Sequence, residues 1–269
     1  AAVRRLPCVR HWQTNKNRQS LVFDNARTQG LPADPHTGSE RRQILGARFS
    51  RVKPTPVANP YLMHYPTHAA DWLGLDPATC TGEEFLKVFA GTQLLPDMDP
   101  HATCYGGHQF GNWAGQLGDG RAINLGEVKT ESGHLMLQLK GAGETPYSRT
   151  ADGLAVLRSS LREYVCYEAM FHLGVPTTRA LSLIATGEPV MRSMLYDGHP
   201  AFEHGAGVRR VGSSFVRFGR LQMLAALVMS RFPNQIFYWW GRQAAARPCS
   251  RKRWRGCLMC RSPWQMRRL

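Results

Sequence analysis

The sequence predicts an α+β fold, and three observations support this prediction. The segments RAINLGEV (121–128) and GHLMLQLKG (133–141) alternate apolar and polar residues, as strands do, and a turn-like KTESG joins them. A helical pattern follows at residues 150–176. Two further strand-like segments, ALSLIAT (180–186) and PVMRSMLY (189–196), come after it. The order hairpin, helix, strands is typical of an α+β layout rather than of alternating βαβ units.

The second hairpin strand has two unlike faces. Leu135, Leu137 and Leu139 occupy alternate positions, so they share one face of the strand. Gln138 and Lys140 lie on the opposite, more polar face. We expect the leucines to face the core and Lys140 to end the strand beside the glycine-rich segment that precedes the hairpin.

The helical pattern after the hairpin has a start signal, an apolar stripe and a stop signal. Asp152 is a candidate N-cap, and the apolar residues that recur at helical spacing are Leu154, Leu157, Leu161, Tyr164 and Val165. The segment GVP (174–176) contains the glycine and proline that commonly end helices. We therefore expect a helix that is buried on the side of this apolar stripe.

The segments outside this region are shorter or less regular. Residues 24–60 are rich in Pro, Asp and Arg and predict extended chain, with 43–52 as the one ordered piece. Residues 68–75 and 82–91 predict short helices. SSFVRFG (213–219) is compatible with a strand or with the start of a helix.

Charge and cysteine content limit the class of protein. The net charge of the 269 residues is +15, but residues 241–269 alone contain nine Arg and Lys and no acid. Seven cysteines, an odd number, argue against a secreted disulfide framework. No apolar run approaches the roughly 20 residues that span a bilayer. The basic, acid-free first 23 residues resemble the end of a transit peptide, which favours a mitochondrial location over another organelle or the cytoplasm; a disordered basic arm is the alternative.

The segment YGGHQFGNWAGQLGDGR (105–121) is a candidate phosphate loop. Glycine lets a backbone approach an anion closely, and Gly118 and Gly120 are followed by Arg121, which can bind a phosphate through two hydrogen bonds. Gly-Asp-Gly is also a common tight turn, so this segment alone leaves both interpretations open.

Lys140 and Glu163 extend the pattern. In protein kinases a glycine-rich loop covers the phosphates, a strand lysine holds them, and a helix glutamate fixes the lysine. Glu163 lies away from the leucine stripe on the predicted helix, where it would face either a neighbouring cleft or solvent. Three parts in this order predict a nucleotide-phosphate site.

Two later arginines join the candidate set. Arg210 and Arg217 are seven residues apart, which on a helix is two turns and one face. They would form either a basic surface or a pair that converges on a triphosphate. The pair Cys257 and Cys260 lacks the second pair that a zinc site needs, so no metal site is predicted.

Long strings of the chain resemble the selenoprotein O family, also known as the YdiU family. They include SRVKPTPVANP, FAGTQLLPDMDPHATCYGGHQFGNWAGQLGDGRAINLGEV, LQLKGAGETPYSRTADGLAVLRSSLREYVCYEAM and FVRFG, within about residues 22–219. The resemblance implies a protein-kinase-like fold, here the N-lobe and the start of the second lobe only. It also implies transfer of AMP from ATP to hydroxyl side chains of proteins, with ATP bound in a flipped orientation.

The same resemblance implies roles for individual residues. The implied ATP-binding residues are Gly118, Gly120, Arg121, Lys140, Asp152, Gly153, Arg210 and Arg217. Glu163 is implied to position Lys140. The loop departs from the ordinary kinase pattern, because Ile123 stands where the third glycine would be.

The chain also lacks parts that the family uses. No Asp or Glu follows Glu203, so we expect no catalytic aspartate and no metal ligand in this chain, and we expect Mg²⁺ or Mn²⁺ only in a full-length member. Residues 1–21 are interpreted as a basic arm or transit-peptide remnant, 22–219 as the nucleotide-binding region and 220–269 as a basic tail without assignable fold. The tail resembles out-of-frame translation, and a nucleic-acid-binding arm is the alternative.

Two functions follow from these expectations. The first is an ATP-dependent protein adenylyltransferase, a monomer with protein substrates and an incomplete catalytic lobe in this chain. The second is a catalytically inactive nucleotide-binding fragment whose basic tail contacts nucleic acid or an acidic partner. Ordinary phosphoryl transfer on the same scaffold is a third and weaker possibility.

Overall fold

The computed structural model of the chain describes residues 21–231, apart from residues 45, 132 and 196, with side chains as far as residue 225. Within these residues the strands are β1 (Val22–Phe23), β2 (Phe49–Arg51), β3 (Tyr61–His64), β4 (His101–Thr103), β5 (Gly106–Gln109), β6 (Asn112–Gln116), β7 (Ala122–Thr130), β8 (Gly133–Lys140), β9 (Arg179–Arg192) and β10 (Ala201–Gly212). The helices are α1 (Ala26–Gln29), α2 (Thr67–Asp71), α3 (Pro77–Cys80), α4 (Glu83–Ala90), α5 (Leu157–His172) and α6 (Phe218–Arg231).

Most of the strands form one antiparallel sheet. Its order is β2-β4-β7-β8-β10-β9-β3, and β1 pairs with β7. The hairpin β5–β6 forms a separate two-stranded sheet. Helix α5 connects β8 to β9 and packs on β9 and β10. The predicted α+β class and its order of hairpin, helix and strands are confirmed.

The main hydrophobic core lies on the leucine face of β8. Leu135, Leu137 and Leu139 are buried there together with Phe85 and Phe89 of α4. Helix α4 ends where predicted, because Gly91 takes the left-handed backbone conformation (φ 87°) that closes a helix. The alternation in β8 and the helical spacing in α4 therefore predicted correctly which of their residues face the main core.

The strands after α5 differ from the prediction. The segments 180–186 and 189–196 do not form two strands, because β9 runs without a break from Arg179 to Arg192. The next strand, β10, was missed. Its sequence AFEHGAGVRRVG has no regular alternation, and the strand is held by pairing with β8 and β9 on its two sides. SSFVRFG has no regular secondary structure up to Arg217 and becomes helical at Phe218.

Helix α5 begins later than its sequence suggested. The first helical residue is Leu157, and Val156 occupies the N-cap position without a side-chain hydrogen bond. The prediction of Asp152 as N-cap is therefore wrong: its Oδ1 instead accepts a hydrogen bond from the Leu154 N–H at 3.0 Å. The end of the helix agrees with the prediction, since Gly174 is left-handed (φ 75°) directly after it.

The predicted apolar stripe of α5 faces the sheet only in part. Leu161 and Val165 are 46% and 54% exposed, whereas Ser160 and Tyr164 are buried. Ser160 Oγ donates to the carbonyl oxygen of Ala206 on β10 at 2.9 Å. The helix is thus rotated relative to the expected orientation: Leu157 and Tyr164 pack on apolar residues of β9 and β10, while Leu161 and Val165 are turned toward solvent.

The predicted basic arm and basic tail lie mostly outside the described residues. Helix α6 occupies the first part of the segment 220–269, for which the sequence had assigned no fold, and residues 232–269 lie outside the described residues. Residues 1–20 of the predicted basic arm also lie outside them. Among the described helices, none combines the length and the apolar character that a membrane span requires.

Replacing Leu137 with Ala should lower the free energy of unfolding by about 2–5 kcal/mol, because a fully buried side chain would leave a cavity. Urea denaturation followed by circular dichroism measures this change. The matched control is Leu161→Ala, the same truncation at a half-exposed position, for which we expect a loss below about 1 kcal/mol. Equal losses in the two variants would contradict the position of the core.

Candidate functional site

The register of three strands aligns a row of buried polar side chains. Asn124 on β7 and Arg210 on β10 both lie opposite Gln138 on β8. Gln138 Nε2 donates to Asn124 Oδ1 at 2.9 Å, and Arg210 donates to Gln138 Oε1. Asn124 Nδ2 in turn donates to the carbonyl oxygen of His101 at 3.2 Å. This row fixes the guanidinium of Arg210 on the same face of the sheet as Lys140.

Lys140, Glu163 and Arg210 form an ion cluster between the sheet and α5. Glu163 Oε1 lies 3.4 Å from Lys140 Nζ and 3.4 Å from Arg210 Nη1. Tyr167, one turn further along α5, donates its hydroxyl hydrogen to Glu163 Oε1 at 2.7 Å and accepts from Arg210 Nη1 at 2.6 Å. Glu163 reaches this position because the rotated helix turns it toward the sheet.

The surroundings of the ion cluster shift the pKa values of its members. Burial and the neighbouring charge of Arg210 lower the pKa of Lys140, although Glu163 acts in the opposite direction. Burial opposes ionisation of Glu163, but the charge of Lys140, the Tyr167 hydrogen bond and Arg210 together hold its pKa below the ordinary value. Two cations share one carboxylate, so the cluster has a net positive charge suited to an anionic ligand.

The glycine loop is shaped by contact with residues 147–148. A Cβ on Gly118 would lie 2.4 Å from Cγ of Tyr147, and one on Gly120 would lie 2.8 Å from the Tyr147 carbonyl oxygen. Asp119, between the two glycines, is buried and accepts hydrogen bonds from the backbone and hydroxyl of Thr103. The sequence analysis missed this role of Asp119, which fastens the loop to β4.

An open cleft of about 840 Å³ lies beside this loop. The predicted site residues that line it are Gly118, Gly120, Arg121, Asp152 and Gly153. Arg149 and Arg192, which the sequence analysis did not select, also line it. The cleft and the ion cluster are adjacent along the chain, because Arg121 precedes Ala122, the register partner of Lys140.

The remaining predicted residues lie outside the cleft lining. Lys140, Glu163 and Arg210 belong to the ion cluster, and Arg217 lines a separate small cavity. The guanidinium carbon of Arg217 is 4.9 Å from the ring centre of Tyr105, a residue that lines both cavities. The helical interpretation of the two arginines is wrong, since Arg210 lies on β10 and Arg217 precedes α6.

Asp152 and Gly153 have structural contacts of their own. Asp152 binds Arg192 through both carboxylate oxygens, at 2.8 and 2.9 Å. Gly153 has a left-handed backbone (φ 70°), and a Cβ there would lie 1.9 Å from the carbonyl oxygen of Gly143. Any other residue at position 153 would therefore push the backbone of the cleft apart.

A short hairpin borders the cleft through Gln109. We call residues 106–116, which comprise β5, β6 and their turn, the flap. The turn residues Phe110 and Gly111 both have left-handed backbones, with φ values of 51° and 80°. At the root of the flap, Gln116 accepts from the Ile44 N–H at 2.7 Å and donates to the Arg42 carbonyl oxygen at 3.0 Å. The flap is thus fastened at its root, while Phe110 at its tip is fully exposed.

One group of described residues has the donor types of a metal site. Asp24, Glu127 and His134 place one ligand atom each within 4.8 Å of one another. Arg27 Nε already pairs with Glu127 Oε1 at 2.9 Å, and its positive charge would oppose a bound cation. This group shares no residue with the cleft lining.

The comparison with known protein families decides the family. The chain matches the sequence model described as protein adenylyltransferase SelO over residues 39–235. The chain belongs to the SelO family. The resemblance seen in the sequence is thereby confirmed.

Curated relatives of this SelO family chain carry the name protein nucleotidyltransferase YdiU. The chain is 62% identical over 207 residues to the protein of Azoarcus sp. (strain BH72), covering 77% of the chain and 40% of the relative. It is 61% identical over 207 residues to that of Rhodopirellula baltica, covering 77% and 38%, and 58% identical over 208 residues to that of Flavobacterium johnsoniae, covering 77% and 40%. The chain therefore spans about two fifths of the length of these relatives.

The mitochondrial location expected from the basic start of the chain is wrong. The relatives named above are bacterial proteins, and bacteria have no mitochondria. A run of basic residues without acids is a compositional signal that a transit peptide shares with other basic segments. The cytoplasmic alternative is compatible with this finding.

Replacing Glu163 with Gln should reduce stability at pH 7, because it leaves Lys140 and Arg210 without their carboxylate. The folded pKa of Glu163 lies below its ordinary value of 4.5, so its stabilising contribution is present above pH 4.5 and is lost as the pH falls through the folded pKa. The difference between wild type and variant should therefore shrink below pH 4.5.

Urea unfolding of both proteins across pH 3–7 measures this difference. The control is Glu83→Gln, which breaks an exposed pair with Lys87 on α4 and should change stability little at any pH. A Glu163→Gln difference that does not depend on pH would contradict the assigned ion cluster.

Proposed function

We propose that the complete protein transfers AMP from ATP to Ser, Thr or Tyr hydroxyls of other proteins. The observation that carries this proposal is the ion cluster of Lys140, Glu163 and Arg210 beside a glycine loop and an open cleft. A net positive cluster next to exposed backbone is suited to a polyphosphate. The family description and the names of the relatives support nucleotidyl transfer to proteins.

We also propose that the described region comprises the N-lobe and the start of the second lobe of a protein-kinase-like fold. The support is the chain order glycine loop, β7, β8 with Lys140, α5 with Glu163, β9 and β10. In protein kinases the same order of loop, strand lysine and helix glutamate positions the phosphates of ATP. The contact between Lys140 and Glu163 corresponds to the strand lysine and helix glutamate of this pattern.

In this proposal each predicted residue has a distinct task. Gly118 and Gly120 leave the backbone of the loop open to the nucleotide, and Arg121 binds a phosphate at the edge of the cleft. Lys140 and Arg210 neutralise phosphate charge, and Glu163 holds both in position. The predicted set is completed by three residues, namely Asp152, Gly153 and Arg217.

Asp152 and Gly153 line the nucleotide cleft, and Arg217 lies beside it against Tyr105. Asp152 and Gly153 would contact the nucleotide within this cleft. Arg217 would add a positive charge at the edge that Tyr105 shares with the small cavity. In the flipped orientation of ATP that the family resemblance implies, the phosphates would face Arg210 and Arg217.

The metal ion of the reaction, Mg²⁺ or Mn²⁺, does not fit the residues of this cleft. Asp152 is the carboxylate among the described cleft-lining residues, and Arg192 holds both of its oxygens. Mg²⁺ usually needs one or two carboxylates besides the phosphates. We propose that the metal ligands and the catalytic base belong to the part of the relatives' length that this chain does not span.

Replacing Lys140 with Met should weaken ATP binding by the chain at least about tenfold, since the charge that meets the phosphates is lost. Isothermal titration calorimetry of the chain with ATP measures the affinity. The control is Lys129→Met, which removes an exposed lysine from β7 and should leave the affinity unchanged. Equal affinities for wild type and Lys140→Met would contradict the phosphate site.

Isotope labelling of the complete protein tests the transfer itself. With a mixture of cellular proteins as acceptors, label should enter protein from ATP labelled at the α-phosphate and not from ATP labelled at the γ-phosphate. Transfer of γ-label alone would establish phosphoryl transfer instead. Absence of both labels would contradict group transfer from ATP by the complete protein.

A further inference from the structure

We propose that Arg149 is a further phosphate-binding residue of this cleft, and that Gln109 of the flap competes with the nucleotide for it. The inference rests on the proposed function, because it takes the ligand of the cleft to be a nucleoside polyphosphate. It assigns Arg149 a binding role and the flap a response to binding.

The charges of the cleft single out Arg149. Three arginines line the cleft, namely Arg121, Arg149 and Arg192. Asp152 binds Arg192 through both carboxylate oxygens and neutralises the charge of that arginine. Within residues 21–231 as the structure describes them, neither Arg121 nor Arg149 forms an ion pair. Two uncompensated guanidinium groups on the wall of one cleft are complementary to a polyanion, which each can bind with two hydrogen bonds.

The backbone of Arg149 is held in an unusual conformation. Its φ is 56°, the left-handed region that residues other than glycine rarely adopt. The turn around it is fixed on both sides, because the Ala151 N–H donates to the Ser148 carbonyl oxygen at 3.0 Å and Ser148 Oγ donates to the Gly120 carbonyl oxygen at 2.5 Å. The turn therefore places Arg149 at a fixed position beside the glycine loop. Strained residues held in this way concentrate at ligand sites.

The hydrogen bond between Arg149 and the flap is of a kind that a phosphate can replace. Arg149 Nη1 donates to Gln109 Oε1 at 3.0 Å across the cleft. The amide oxygen is a neutral acceptor, whereas a phosphate oxygen is charged and forms a shorter and stronger hydrogen bond with a guanidinium. A phosphate of the bound nucleotide would thus replace Gln109 as the hydrogen-bond acceptor of Arg149. Because Gln109 adjoins the tip residue Phe110, this exchange would release the free end of the flap.

The test compares ATP with adenosine in titration calorimetry of the full chain. Arg149→Asn removes the charge and keeps a residue type that tolerates the left-handed backbone. We expect it to weaken ATP binding about tenfold while adenosine binding is unchanged, because only ATP has phosphates. Arg149→Lys keeps the charge and should lose less. Gln109→Ala removes the competitor and should leave ATP binding equal or tighter.

The matched control is Arg41→Ala. Arg41 is an exposed arginine that pairs with Glu144 at 3.1 Å and does not line the cleft, so its loss should change neither affinity. Wild-type affinity for ATP in Arg149→Asn would overturn the inference and leave the proposed function standing. Equal weakening by Arg149→Asn and Gln109→Ala, for ATP and adenosine alike, would show that the contact only closes the flap, which also overturns it. Wild-type protein that binds no ATP would overturn the proposed function itself.

Discussion

The candidate site depends on the register in which β8 pairs with β7 and β10. This register puts Gln138 between Asn124 and Arg210, and it sends Leu137 and Leu139 to the opposite face, into the core. A shift of one residue would exchange the two faces of the strand and bury the polar row against apolar side chains. The burial of the leucines, which stabilises the fold, therefore also specifies where Lys140 and Arg210 meet Glu163.

The sequence was informative where local pattern and tertiary structure agree. The alternation in β8 and the spacing in α4 identified their buried faces, because each strand or helix there packs its apolar residues on the main core. The pairing of Lys140 with Glu163 was also expected from chain order. The orientation of α5 was expected only in part, because Tyr164 of the predicted stripe packs on the sheet, whereas Ser160 makes an unexpected contact there and Leu161 is half-exposed. A pattern of apolar residues cannot reveal a contact made by hydroxyl groups.

Two further features of the site could not be predicted from the sequence. Strand β10 has glycines and charged residues in place of alternation, and it is ordered by two neighbouring strands that are distant in the chain. The sequence analysis interpreted the glycines of the loop as positions where the backbone can approach a phosphate closely. The structure shows that they also make room for Tyr147. Gly118 and Gly120 lie directly against Tyr147, so the ring and backbone of that residue also require them. The loop therefore packs closely on Tyr147 at the wall of the cleft.

The two-to-one ratio of cations to carboxylate in the ion cluster has a kinetic consequence. Lys140 and Arg210 share Glu163, and Arg121 adds a further positive charge at the cleft. An excess of one sign of charge in a concave surface attracts oppositely charged molecules before contact and raises their association rate. Mobile ions screen this attraction over about 8 Å at physiological ionic strength. Added salt should therefore slow the arrival of a polyanionic ligand more than it alters its departure.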